Sequence, residues 1–273
     1  MRDPGTGHES DHYSKAYSRF DTDLYGEIRR DAFGEDIGQN NWSTAEEHRR
    51  FLDWLRLRPG DALLDVACGS GGPTIYLASQ SGCRALGVDN NAEAVAHGTR
   101  LSERMGLAPQ VEFAQIDADG PLPLPDASFE AVICLDAINH FTDRQRALAE
   151  WARVLRPGGR LLFTDCVTVT GLISNVEVAA RSRIGHYVFA PLGENARLIR
   201  QFGLDLKILE DLTKSMAVLS GRRWRARASR AEALLAIEDT ATYEAHQEVL
   251  RTAETLALEG RLSRFAYLAI KSR

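Results

Sequence analysis

The stretch Leu63-Leu64-Asp65-Val66-Ala67-Cys68-Gly69-Ser70-Gly71-Gly72 begins as an apolar run and breaks into glycines, the pattern of a buried strand ending in a tight turn. Glycine has no Cβ, so the backbone of such a turn can approach a ligand closely. Residues 73–81 then read as a helix, and Arg84-Ala85-Leu86-Gly87-Val88-Asp89 as a second strand. Strand, helix, strand is a βαβ unit.

Outward from that unit the alternation continues. A helix is predicted over 92–105, strands over 111–116 and 131–135, and a helix over 144–155. Arg156-Pro157-Gly158-Gly159-Arg160 stops that helix and turns the chain into a strand over 161–165. A helix over 194–201, closed by Gly203, precedes strands over 204–210 and 264–270. The pattern predicts an α/β protein built on a doubly wound sheet. Three segments exceed a minimal sheet and divide the chain: an N-terminal helical lid (1–50), a core (51–212) carrying a substrate-side insertion (167–192), a helical cap (213–262) and a final core strand (263–273). The Pro-rich bend at 120–126 reads as a surface loop.

Of the 273 residues, 44% are hydrophobic, which suits one large globular domain or a core with an appended cap. The formal net charge of −5 provides no field that draws the protein to nucleic acid or to an anionic membrane, and a small-molecule partner is expected. Residues 1–10 are polar, and no run approaches the roughly 20 apolar residues of a membrane-spanning helix. A cytoplasmic monomer or homodimer is the expectation. Cys68, Cys83, Cys134 and Cys166 are scattered, without C-x-x-C spacing or a nearby His pair, so they read as packing residues and no metal site is expected.

Asp89 ends the second strand 20 positions after Gly69, the offset of a carboxylate that grips ribose hydroxyls. The dinucleotide fingerprint needs a third glycine at position 74, which is Thr74 here, and this weighs against NAD. Asp65 lies inside an apolar strand, where a carboxylate requires a donor, either a bound amine or a backbone N–H.

The D-x-A-x-G-x-G turn at 65–71, Asp89, Asp117 after the third strand and Leu-Arg-Pro-Gly-Gly at 155–159 together resemble a class I S-adenosylmethionine-dependent methyltransferase. Within that class the chain is similar to the small-molecule branch of sarcosine, phosphoethanolamine and quinone methyltransferases, over roughly residues 50–212 and the last strand. The resemblance implies a Rossmann-like sheet of seven strands, mostly parallel with an antiparallel last strand, with S-adenosyl-L-methionine as cofactor and S-adenosyl-L-homocysteine as product. It implies that Asp65, Ala67, Gly69 and Gly71 line the methionine moiety, that Asp89 holds the ribose with Asn90 beside the adenosine, and that Asp117 and Ala118 meet the adenine, with Leu135 lining the site. The family usually has glycine where Ala67 stands.

Methyl transfer from a sulfonium is an in-line displacement that depends on alignment and exclusion of water, and a base helps when the acceptor must lose a proton. His140, in Leu135-Asp136-Ala137-Ile138-Asn139-His140, is the candidate base, resembling the D-A-x-x-H run of the sarcosine-type branch, with Asp136 and Asn139 as polar orienters of substrate. The alternative is a helix cap. Tyr13, Tyr17 and Phe20 recur at helical spacing, and the segment 34–43 beyond them resembles the family's lid, from which Gln39 or Trp42 would reach the cofactor. Those rings serve equally well to staple a helix to the domain. Tyr17 and, in the insertion, Tyr187 are candidate acceptor contacts, while the basic run from Arg222 to Arg230 reads as a solvated helix with intrahelical ion pairs. The expected function is transfer of a methyl group to N, O or C of a small metabolite. The alternative is a methyltransferase-fold cyclase or isomerase that binds the cofactor without consuming it.

Overall fold

The computed structural model describes residues 13–272. Strand β1 (Ala62–Val66) sends Leu63 to one face of the sheet and Leu64 and Val66 to the other, as the two-residue period of a strand requires. Its neighbours β2 (Arg84–Asp89) and β3 (Val111–Gln115) continue the sheet on one side, and β4 (Phe129–Leu135) and β5 (Leu155–Val169) on the other, all in parallel. Beyond β5 come β8 (Leu262–Lys271), antiparallel to both of its neighbours, and β7 (Leu204–Asp211), giving the order β3-β2-β1-β4-β5-β8-β7. An eighth, two-residue strand, β6 (Ala190–Pro191), adds to β5.

Both faces are covered, which is why β1 and β4 read as near-continuous apolar runs. Helices α5 (Arg144–Val154) and α7 (Glu194–Gln201) cover one face, with Trp151, Leu148 and Ile199 against Val132 and Phe163. Helices α2 (Ala45–Leu55) and α3 (Gly72–Ser81) cover the other, with Phe51, Ile75 and Leu77 against Leu63, Ile133 and Leu162. Helix α4 (Ala92–Arg104) lies beside β2 and β3, its first turn capped by Asn91, which accepts from the backbones of Glu93 and Ala94.

The remaining helices gather at the carboxyl ends of the parallel strands. They are α1 (Asp23–Phe33), α6 (Asn175–Arg181), α8 (Thr213–Ala228), the short α9 (Ala231–Leu235) and α10 (Thr240–Leu258). A third apolar cluster joins them to the sheet: Met216 and Ala217 of α8 and Leu250, Ala253 and Leu256 of α10 meet Trp42, Cys166 and Leu262. No helix among the described residues is long and apolar enough to cross a membrane. The four cysteines are buried and free.

Candidate active site

At the end of β1 the chain enters the left-handed region at Ala67, with φ 58°, and again at Gly69 and Gly71. The glycines of this turn admit protein. A Cβ on Gly69 would lie 2.7 Å from the Tyr17 hydroxyl, one on Gly71 2.7 Å from the Phe113 ring, and one on Gly72 2.3 Å from the Ile37 carbonyl oxygen. Tyr17 belongs to an N-terminal helical turn (13–18) and Ile37 to the loop before α2, so the turn is the seat on which the N-terminal segment sits. Hydrogen bonds fix that contact: Ser70 Oγ donates to the Gly38 carbonyl at 2.6 Å, and the His97 ring bridges the Ser70 carbonyl (2.7 Å) and Asp21 (3.0 Å).

Asp65 is buried, and its donor among the described residues is the Thr74 hydroxyl at 2.6 Å. Burial pushes its pKa up to about 7, with Asp89 adding to the rise. The Thr74 that departs from a dinucleotide fingerprint therefore serves Asp65 directly. Asp89 accepts from the backbone N–H of Gly69 and of Asn91, both at 2.9 Å, while burial pushes its pKa up. Asp117 accepts from the Asp119 backbone at 3.0 Å on the loop after β3.

These groups open on a cavity of about 710 Å³ at the carboxyl ends of the strands, where open α/β sheets place ligands. Tyr17, Gln39, Trp42, Asp65, Ala67, Gly69, Asp89, Asn90, Asp117, Ala118, Leu135, Asp136, His140 and Tyr187 contribute to its wall. Gly71 and Asn139 are not on it. Gly71 is occupied by its contact with Phe113 and Gly98. Asn139 is fully buried within the 3₁₀ turn Ile138–His140, where its side-chain oxygen accepts from the Cys166 thiol at 3.7 Å.

Three other residues of the wall also bond within the protein. Gln39 spends its amide inside its own loop, accepting from the Ile37 backbone (2.8 Å) and donating to the Glu35 carbonyl (3.0 Å). Trp42 presents its ring to two protein cations, the guanidiniums of Arg181 at 5.1 Å and Arg223 at 4.9 Å from the centroid. Asp136, with φ 56°, has its carboxylate consumed: one oxygen accepts from Arg264 Nε at 2.8 Å, the other from the Trp42 backbone at 2.9 Å. Arg264 also donates to Glu47 (2.9 Å) and Ser43 (2.6 Å), and Glu47 closes the capping box of α2 with Thr44. Asp136 thus fastens the loop at Trp42 and Ser43 to the sheet.

His140 ends the 3₁₀ turn beyond β4. Its Nδ1 lies 3.1 Å from the His186 carbonyl oxygen, which has no proton to give, so Nδ1 carries the hydrogen and donates. Nε2 is left as the acceptor, 3.4 Å from the Tyr13 hydroxyl, which is itself 3.5 Å from the Tyr187 hydroxyl. The Tyr187 ring lies 4.8 Å from the imidazole, and the Tyr13 ring meets it edge-on at 5.6 Å.

A family profile described as a methyltransferase domain matches residues 64–163. The 27-O-demethylrifamycin SV methyltransferase of Amycolatopsis mediterranei (strain S699) is 31% identical over 204 residues, 70% of this chain and 75% of that protein. Methyltransferase GfsG of Streptomyces halstedii is 33% identical over 219 residues, 73% of this chain and 77% of that one. The chain belongs to the S-adenosyl-L-methionine-dependent methyltransferase family. Its fold matches that of the [4+2]-cyclase SpnF, with a TM-score of 0.79 and 20% identity over 100% of this chain and 98% of that one.

The wall of this methyltransferase's cavity fits S-adenosyl-L-methionine. Two desolvated carboxylates, Asp65 and Asp89, face a cavity in which an ammonium and hydroxyls would supply further donors beside those the protein gives them. Sequence reasoning overlooked Arg223 and Arg227, also on the wall. The signal was present: Met216, Ser220, Arg223 and Arg227 follow at helical spacing, so the two arginines extend the buried face of α8. Nor are the ion pairs of the basic run intrahelical. Arg225 pairs with Glu254, Arg227 with Glu238, and Arg230 with Glu27 and Asp31.

Proposed function

We propose that this methyltransferase transfers a methyl group to a hydroxyl oxygen of a small-molecule acceptor, with His140 as the general base. The orientation of the His140 ring carries this reading: the His186 carbonyl holds the proton on Nδ1, so that Nε2, which meets the Tyr13 hydroxyl at 3.4 Å on the cavity wall, is the ring nitrogen that can take up a proton. A hydroxyl loses its proton as it attacks, and an imidazole is suited to receive it near neutral pH. The choice of oxygen draws on the relative whose named acceptor is 27-O-demethylrifamycin SV.

When bound, S-adenosyl-L-methionine supplies an electrophilic methyl on a sulfonium. The chain's own part is to bind, align and keep water out. Asp89 holds the ribose hydroxyls and Asp65 lies toward the amino group, with Asn90, Asp117 and Ala118 around the adenosine. Ala67, Gly69 and Leu135 shape the floor. Tyr13 and Tyr17, on the N-terminal helical turn, close over the site, and Tyr187 packs against His140 to hold its plane. Residues 1–50 act as a lid, the helices of 213–262 as a cap, and 167–192 as the substrate-side insertion on the core; residues 1–12 of that lid lie outside the described residues.

His140→Ala tests the assignment. It should lower kcat by about 10²- to 10⁴-fold while S-adenosyl-L-homocysteine binds as tightly as to the wild type, as read by calorimetry and steady-state kinetics. Unchanged turnover would reduce His140 to packing. The fold likeness to a cyclase over the whole chain supports a second reading, in which the cofactor is bound and not consumed. Product formed from an acceptor with S-adenosyl-L-methionine left intact would select it.

A further inference from the structure

The cavity carries charge of both signs. Its carboxylates, Asp65 and Asp89, stand at the carboxyl ends of β1 and β2, whereas Arg223 comes from α8. Arg223 has no carboxylate within ion-pair distance among the described residues. Its hydrogen bond is a long one, 3.4 Å to the Asn41 carbonyl, and its guanidinium rests on the faces of Trp42 and Phe33, 4.9 and 5.7 Å from the ring centroids.

The charged and titratable groups facing it are the guanidiniums of Arg227 and Arg181 and the phenols of Tyr13 and Tyr187. Burial, with Arg227 adding to it, pushes the Arg223 pKa down to about 10. Arg227 is neutralised by Glu238 at 2.6 Å. Arg181 donates to the Cys166 sulfur at 3.6 Å and lies over the Tyr187 ring at 4.8 Å. It also lacks a carboxylate within ion-pair distance among the described residues, with its Nε and one Nη buried without a hydrogen bond, but it does not line the cavity; of the two α8 arginines on the wall, Arg227 is paired and Arg223 is not. Arg223 is half-buried, so its charge is partly withdrawn from water and gains from a partner, and a planar guanidinium presents paired donors matched to carboxylate or phosphate oxygens.

We propose that Arg223 receives an oxyanion of the methyl acceptor, so that the acceptor is an acid whose carboxylate or phosphate lies against the α8 side of the cavity. This rests on reading the cavity as the methyl-transfer site. It divides the cavity by charge, with the carboxylates of β1 and β2 on the cofactor's side and Arg223 of α8 on the acceptor's.

The test uses the full chain saturated with S-adenosyl-L-homocysteine and three probes of similar shape: benzoate, phenyl phosphate and the neutral benzamide. Wild type should bind one or both anions at least about tenfold more tightly than benzamide, the preferred anion identifying the group. Arg223→Gln should abolish that advantage with S-adenosyl-L-homocysteine affinity unchanged, and Arg223→Lys should keep part of it. The proposal is overturned if benzamide binds as well as the anions, if no anion binds, or if Arg223→Gln leaves the preference intact. Weakened S-adenosyl-L-homocysteine binding in Arg223→Gln would also overturn it, by assigning the arginine to the cofactor's own carboxylate. Failure of wild type to bind S-adenosyl-L-homocysteine at all would instead strike the methyl-transfer reading.

Discussion

Asp89 illustrates how a single residue joins the fold to the proposed cofactor site. It accepts from the Gly69 and Asn91 backbones, which aim its carboxylate, and it still faces the cavity. Asp89→Ala should weaken S-adenosyl-L-homocysteine binding by roughly tenfold to a hundredfold, the scale of a hydrogen bond to a charged group. Calorimetry reads this directly, and unchanged affinity would remove Asp89 from the site. Asp65 predicts a pH effect. Its pKa of 3.8 in the open chain rises to about 7 when buried, so between those values the folded state holds a proton the unfolded state has released. The ligand-free protein therefore loses stability as pH climbs from about 4 through about 7. Asp65→Asn should gain stability relative to wild type as pH rises, measured by thermal denaturation, and a difference that stays flat with pH would contradict the assignment. The position of both carboxylates was legible in the sequence, because strand ends and the offset between them are local properties. The hydroxyl that serves Asp65 was not, since Thr74 reaches it only after α3 folds back over β1.

At the scale of elements, the turn after β1 is a joint between β1, α3 and the lid loop. Gly72→Ala would drive a Cβ into the Ile37 and Gly38 carbonyl oxygens, 2.3 and 2.5 Å away, with no flexible side chain to yield. A loss of about 1–3 kcal/mol is expected from such overpacking, together with weaker S-adenosyl-L-homocysteine binding as the 37–38 segment lifts. Chemical denaturation and calorimetry would check the pair, and wild-type stability would show that the loop is not seated there. The strands and the helices between them were readable because periodicity and stop signals are written along the chain. The glycines were read as room for a ligand, and they admit Tyr17, Phe113 and the Ile37 backbone, partners remote in sequence. Arg223 and Arg227 were obscured by composition: a run rich in arginine looks solvated until its helical face is traced to Met216 and Ser220.

Across the molecule, Arg264 links three parts of the chain. From β8 it bonds Asp136 at the end of β4, Glu47 at the start of α2 and Ser43 in the lid loop, and none of the three charged side chains reaches solvent appreciably. Removing one member of a buried ion group strands the others, at a cost of about 3–5 kcal/mol. Arg264→Met should therefore destabilise the protein by that order in chemical denaturation and loosen the lid. A change under about 1 kcal/mol, the ordinary surface-pair range, would show that water replaces the arginine freely.

The central claim, methyl transfer to an acceptor hydroxyl inside this cavity, is tested most directly with S-adenosyl-L-methionine whose methyl group is fully deuterated. The enzyme is incubated with a panel of hydroxylated small molecules, acids among them, and analysed by mass spectrometry. A product carrying one trideuteromethyl group on oxygen, formed in step with S-adenosyl-L-homocysteine, is the predicted result. Conversion of an acceptor to an unlabelled product, with the labelled S-adenosyl-L-methionine intact, would contradict it.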